Sequence, residues 1–217
     1  MDPTISLEPV RAFAESSDLD EAVRMLAAAP LHAIAYGFTS SAYVIGDAGE
    51  TAMLQRLRDQ SAGIPVVATV TAVVEALRAL DIRRIALFDP PWFDVELNAL
   101  GRRYYESAGF EVVLSSPCDL PSGQALIQPR ELHGWIRSRV PDAADAIVLG
   151  GNGFRAVGVI ETLEADTGRP VVTPNQVLLW AALRAAGADT SLVSGFGRVF
   201  SIDPTTSAGS RSVSANA

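Results

Sequence analysis

The chain has 217 residues, enough for one sizeable core or for two small lobes sharing a cleft. Hydrophobic residues make up 48% and charged residues 19%, which excludes intrinsic disorder. With 17 basic against 25 acidic side chains the net charge is −8, which argues against nucleic acid and against an anionic membrane surface as partners.

No apolar run approaches the roughly 20 residues that span a bilayer. Met1-Asp2-Pro3-Thr4 has neither a basic region nor an apolar core behind it, so no signal peptide is expected. The single cysteine, Cys118, excludes an internal disulfide and a cysteine-cluster metal site. His32 and His133 stand far apart without ligand spacing. A cytoplasmic, metal-free protein is expected.

In chain order, residues 4–10 read as a short strand. Residues 20–29 read as a helix, with Ala22, Met25 and Leu26 at helical spacing. Ala33-Ile34-Ala35-Tyr36 is an apolar run of strand length, and the loop after it opens a helix. Pro65-Val66-Val67-Ala68 is a second such run, followed by a helix over residues 72–80. Arg84-Ile85-Ala86-Leu87-Phe88 comes next, then a helix over residues 97–108 closed by Gly109. Phe110-Glu111-Val112-Val113-Leu114 is a further strand, and residues 129–140 form a helix with Pro129 in its first turn. Ala146-Ile147-Val148-Leu149 and Pro170-Val171-Val172 complete the strands. None alternates strictly with polar residues, the pattern of parallel strands buried on both faces. The fold class expected is α/β, built of βαβ units. From residue 201 the chain is small, polar and aperiodic, and reads as a flexible tail.

The chain repeats itself. Ala33-Ile34, Gly37, Pro65-Val66-Val67 and Ala76-Leu77-Arg78-Ala79 recur as Ala146-Ile147, Gly150, Pro170-Val171-Val172 and Ala182-Leu183-Arg184-Ala185. Two pseudosymmetric lobes follow, residues 1–81 and residues 82–200, the last helix packing back on the first lobe, with residues 201–217 as tail. Two strands precede the repeat unit in the second lobe and at most one in the first. The first lobe is thus short of an N-terminal strand and helix, and a short assigned start is the favoured explanation. Such an exposed sheet would favour a homo-oligomer.

Ligands of such sheets bind beyond the carboxyl ends of strands. Those ends are Tyr36-Gly37-Phe38-Thr39-Ser40 and Gly150-Gly151-Asn152-Gly153-Phe154-Arg155. A helix start favours an anion, and adjacent Thr39 and Ser40 could each serve one carboxylate oxygen. Either could instead only cap the helix. The second loop lacks the Gly-Lys-[Ser/Thr] ending of a nucleotide phosphate loop. Asp89-Pro90-Pro91-Trp92-Phe93 follows another strand and could wall the cleft through Trp92, or be a rigid turn. The amides of Thr173-Pro174-Asn175-Gln176 could bind ligand or cap the last helix, capping being favoured, and Cys118 reads as an inert thiol.

Ile34-Ala35-Tyr36-Gly37-Phe38-Thr39-Ser40 resembles the first active-site loop of the maleate cis-trans isomerase and arylmalonate decarboxylase family, in the aspartate/glutamate racemase superfamily. Residues 146–153 with Arg155 resemble its second loop, and residues 168–176 with Leu179-Trp180 and Ala182-Leu183-Arg184 its closing strand and helix. The resemblance runs from about Ala33 to Arg198. It implies two α/β lobes, no cofactor and a small carboxylic acid bound between them. Both usual cysteine positions are empty here, taken by Phe38 and Gly151, and a usual tyrosine is replaced within Asp89-Pro90-Pro91-Trp92. What carries over is carboxylate binding by Gly37, Thr39 and Ser40. In the enzyme reading built on it, Gly151, Asn152 and Gly153 line the opposite face and Phe38 and Trp92 shape an apolar wall. No residue is assigned to proton transfer. The activity implied is a cofactor-independent isomerase or decarboxylase working through an enediolate-like intermediate without a thiol. The alternative is a non-catalytic carboxylate binder.

Overall fold

A computed structural model describes residues 5–202. The chain opens with two helices, α1 (Leu7–Glu15) and α2 (Ser17–Ala27). The strand expected over residues 4–10 is therefore corrected to helix from Leu7 onward, and Thr4 lies outside the described residues. Leu7, Val10 and Ala14 recur at helical spacing, and the last two are buried. Pro9 is tolerated because it stands in the first turn, where its missing N–H has no intrahelical acceptor. Arg11 Nη2 anchors the helix by donating to Val44 O at 2.8 Å. In α2 the packed side chains are Val23 and Leu19, whereas Met25, expected on the buried face, is 71% exposed.

The first sheet follows: β1 (Ile34–Tyr36), α3 (Thr39–Gln60), β2 (Val66–Ala68) and α4 (Thr69–Ala79). Helix α3 is interrupted at Gly46, where φ is 73°. The second sheet comprises β3 (Arg84–Asp89), β4 (Glu111–Pro117), β5 (Ala146–Leu149) and β6 (Val171–Val172). Between and after them run α5 (Val95–Ser107), α6 (Pro129–Arg137), α7 (Ile160–Thr167) and α8 (Pro174–Ala185).

All strand pairs are parallel; the order in the second sheet is β4-β3-β5-β6. The repeat extends to register. Ile34 lies opposite Val66 and Ala35 opposite Val67, as Ile147 lies opposite Val171 and Val148 opposite Val172. The difference is at the other edge: β5 is also paired with β3, while β1 has no second neighbour among the described residues.

The unbroken apolar runs are explained by burial on both faces. Along β3, Ile85 and Leu87 enter the main core, while Ala86 and Phe88 enter a second core on the opposite face. Fully burying a side chain such as Ile85, Leu87 or Phe88 contributes about 1.5–3 kcal/mol. Helix α8 packs on α4 and on β2, so the last helix lies against the first sheet. The main core runs through this junction, from Val70, Val73 and Leu77 of α4 to Val148, Val172, Val177 and Trp180. Residues 203–217, most of the expected tail, lie outside the described residues; Ser201 ends a short 3-10 turn. No helix among the described residues is long and apolar enough to cross a membrane.

Candidate functional site

The two strand-end loops meet. Asn152 Oδ1 accepts from the Thr39 backbone N–H at 2.8 Å and from the Thr39 hydroxyl at 2.7 Å. Both residues lie two positions beyond the matched glycines, Gly37 and Gly150, so they are equivalents in the repeat. A contact between equivalent residues is what an approximate twofold axis running between the loops produces. The Asn152 amide nitrogen donates to Thr69 Oγ1 at 3.3 Å and to Asn175 Oδ1 at 2.9 Å. Asn175 returns a bond to Asn152 O at 2.8 Å, and the Thr69 hydroxyl donates to Tyr36 O at 3.1 Å. Thr39, Thr69, Asn152 and Asn175 thus follow β1, β2, β5 and β6, and the parallel sheets bring all four carboxyl ends together.

This arrangement revises the expected capping. The residue preceding α3 is Phe38, and its side chain makes no cap. Thr39 is the first helical residue, and the acceptor for its N–H comes from the opposite loop. Ser41, not Ser40, bonds locally, donating to Phe38 O at 2.7 Å and accepting from the Tyr36 hydroxyl at 2.9 Å. Thr39 and Ser40 are both buried. Of the segment with two expected roles, Thr173 and Gln176 form the cap, Gln176 Oε1 accepting from Thr173 N–H at 2.9 Å, while Asn175 joins the cluster. Thr69 has no counterpart hydroxyl in the repeat, since Thr173 matches Ala68 and Pro174 matches Thr69; its signal is its place just after the first Pro-Val-Val-Ala run, at a strand's carboxyl end.

The remaining expected site residues surround the contact. A side chain at Gly37 would meet Leu178 Cδ2 at 3.6 Å and Asn152 Nδ2 at 4.0 Å, so this glycine faces the cluster. Phe38 turns the other way and packs edge-on against Phe13, with ring centroids 5.6 Å apart. Gly37 and Phe38 line an apolar cavity of about 610 Å³ with Pro9, Val10, Phe13 and Leu19 and with Ala35 and Tyr36 of β1. Trp92 packs edge-on against Phe154 at 6.0 Å and approaches Gly153.

The second loop rests on the segment after β3. Asp89 is fully buried at the end of that strand, and its Oδ1 fills the space a Gly150 side chain would need. Asn98 Nδ2 donates to Asp89 Oδ2 at 2.7 Å and the Tyr43 hydroxyl to Oδ1 at 3.4 Å. Burial pushes the Asp89 carboxyl up to about 7, outweighing both hydrogen bonds. Burial also pushes the Cys118 thiol up to about 11, so the cysteine is not a thiolate near neutrality.

Gly151 has φ 74°, and a Cβ there would come 2.7 Å from Pro90 Cγ. Both features oppose a side chain at this position. Gly151→Cys is therefore expected to destabilise the fold by about 1–3 kcal/mol, through strain and overpacking. Urea denaturation checks this; an unchanged midpoint would contradict the reading of this loop.

The arylmalonate decarboxylase family model matches residues 11–200. A maleate isomerase of Pseudomonas putida is 29% identical over 155 residues, covering 70% of this chain and 61% of that protein. An arylmalonate decarboxylase of Bordetella bronchiseptica is 29% identical over 165 residues, covering 75% and 68%. The crystal structure of maleate isomerase Iso from Pseudomonas putida S16 superposes with a TM-score of 0.83 at 25% identity, covering 91% of this chain and 80% of that one. The alignments thus span about six to seven tenths of the length of these sequence relatives. With the parallel α/β sheets, the paired loops and a family match over nearly the whole described chain, the protein belongs to the arylmalonate decarboxylase family.

Proposed function

We propose that this chain binds a small carboxylic acid where its two loops meet. It turns the acid over as a cofactor-independent isomerase or decarboxylase, through an enediolate-like intermediate. One observation carries the reading: two donors of Thr39, a backbone N–H at the start of α3 and a hydroxyl, converge on a single planar sp² oxygen. The Asn152 carboxamide has the shape of a carboxylate. A substrate carboxylate can take the same donors once Asn152 turns aside, and its full charge makes it the stronger acceptor at a helix N-terminus. Names of the relatives, maleate isomerase and arylmalonate decarboxylase, give the candidate substrates.

In a decarboxylation the bond from the α-carbon to the departing carboxylate breaks and CO₂ leaves. The electron pair passes to the retained carboxyl group as an enediolate, and a proton then reaches the α-carbon. Donors aimed at the retained oxygens stabilise the enediolate. Phe38 and Gly151 carry no ionisable group, so the proton comes from water, a hydroxyl or another acid.

Incubation with maleate and with phenylmalonate, followed by NMR in deuterated water, tests the proposal. Product formation or deuterium uptake at the α-carbon is expected. Thr39→Val is expected to weaken carboxylate affinity about tenfold, the difference between a charged and a neutral acceptor for the lost hydroxyl; calorimetry measures it. The empty thiol positions favour a second reading, a carboxylate binder without turnover. Binding without product or exchange would replace the first reading by the second, and no binding at all would remove both.

A further inference from the structure

The Asp89 carboxyl lies under both halves of the loop contact. On one side it accepts from Tyr43, which stands one helical turn after Thr39 on the same face of α3. On the other side its Oδ1 packs into the notch left by Gly150, two residues before Asn152. The next residue, Pro90, presses on Gly151, and Gly150 N–H is held by Phe88 O at 2.8 Å. Any change in the space or hydrogen bonds this carboxyl needs is thus felt on both sides of the Thr39–Asn152 contact.

We propose that Asp89 is a positioning residue that makes carboxylate binding proton-linked: its neutral form seats the second loop, and its ionised form unseats it. The inference rests on the carboxylate-binding reading given above. An ionised carboxylate offers about four acceptor positions. Among the described residues it has one close donor, Asn98, and one distant donor, Tyr43, both uncharged. A fully buried anion so poorly supplied draws in water or nearby backbone N–H groups, and the adjoining loop is what can move. A carboxylate ligand above the loop adds like-charge repulsion to the same state.

The groups facing Asp89 are few. From α3 comes Tyr43; from α5 come Asn98 and, behind Tyr43, Tyr105. From β4, the Ser115 hydroxyl bonds Asn98 Oδ1 at 3.1 Å, and the Cys118 N–H bonds Asp89 O at 2.8 Å. Burial and the Asp89 charge hold the Tyr43 phenol well above its usual range, and the Tyr105 phenol is likewise raised, chiefly by burial. Glu50, also on α3, acts on Tyr104 and Tyr105. Burial raises the Glu50 carboxyl too, though hydrogen bonds from Tyr104 and Thr71 oppose it; the carboxyl in contact with the loop is Asp89, raised to about 7.

The test uses the whole chain and phenylacetate, a monocarboxylate that stays ionised throughout the range used. Calorimetry at pH 6 and pH 8.5 is expected to show affinity falling about tenfold or more in the wild type and staying level in Asp89→Asn. The Gly150 and Gly151 amide signals, followed by NMR without ligand, are expected to titrate near pH 7 in the wild type and not in the variant. Equal pH dependence in both proteins, or wild-type loop signals that do not titrate, overturns the proposal. If phenylacetate binds at no pH, the carboxylate-binding reading fails; loop signals that still titrate only in the wild type then support Asp89 as the seat of the loop. Should Asp89→Asn not fold, Asn98→Ala serves. Removing the donor that favours the charged form moves the loop midpoint upward, and an unmoved midpoint overturns the proposal.

Discussion

Asp89→Asn is expected to gain stability relative to the wild type as pH rises from 4 to 8, with the two proteins closest below pH 4. The cause is the burial that pushes this carboxyl from 3.8 to about 7 in the folded protein. In that interval the folded state keeps a proton that the unfolded chain gives up, so wild-type stability falls with rising pH. The effect is fully present as stability below about pH 4 and is lost once pH passes about 7. That difference corresponds to about 4 kcal/mol. Asparagine keeps the shape and an acceptor for Asn98 but has nothing to ionise, so its profile lacks this slope. Urea denaturation of both proteins at pH 4, 6 and 8 measures it. Parallel stability profiles would show that Asp89 does not titrate with the fold. The measurement needs no ligand and is independent of any activity.

Trp180→Ala is expected to cost about 3–5 kcal/mol, the range for emptying a buried aromatic site. Only 1% of Trp180 is exposed, and it sits in the main core on α8, the helix that packs on α4 and β2. Removing it loosens the junction between the two sheets. Small domains are stable by only about 5–15 kcal/mol in all, so this is a large share. Trp180→Phe separates packing from polarity. The indole N–H is buried without a hydrogen-bond partner among the described residues, so phenylalanine keeps much of the apolar area and removes an unsatisfied donor. It is expected to cost less than about 1.5 kcal/mol. Similar denaturation midpoints for the two variants would mean that packing at this junction is not what Trp180 supplies. The Arg184 guanidinium, 4.8 Å from the ring centroid, adds a smaller contribution that both variants alter.

Legibility differed between elements for physical reasons. Runs such as Ile85–Phe88 announce a strand because both faces are apolar, and β3 does send alternate residues into two different cores. The repeat is readable because Pro-Val-Val recurs where β2 and β6 begin; that both copies pair in the same register is seen only in the structure. Over residues 4–10 the Ile, Leu and Val content suits a short strand; Val10 and Ala14 packing inside while Arg11 ties to α3 decides for helix from Leu7. That the Phe38 ring packs on Phe13, 25 positions away in sequence, is set by how α1 folds back on the loop and is not written in the loop itself.

The sequence by itself determined the α/β class, the parallel strands, the doubled unit and the family, because burial on both faces and recurrence at fixed offsets are written in residue order. It also marked Thr39 and Asn152 as strand-end residues. Only the tertiary structure decided that these two bond each other across 113 positions, that Thr69 and Asn175 complete the cluster, and that Asp89 is sealed beneath it. Local pattern records which face a segment hides. Which polar atoms then meet, and which carboxyl loses its water, depends on how the hidden faces stack through space.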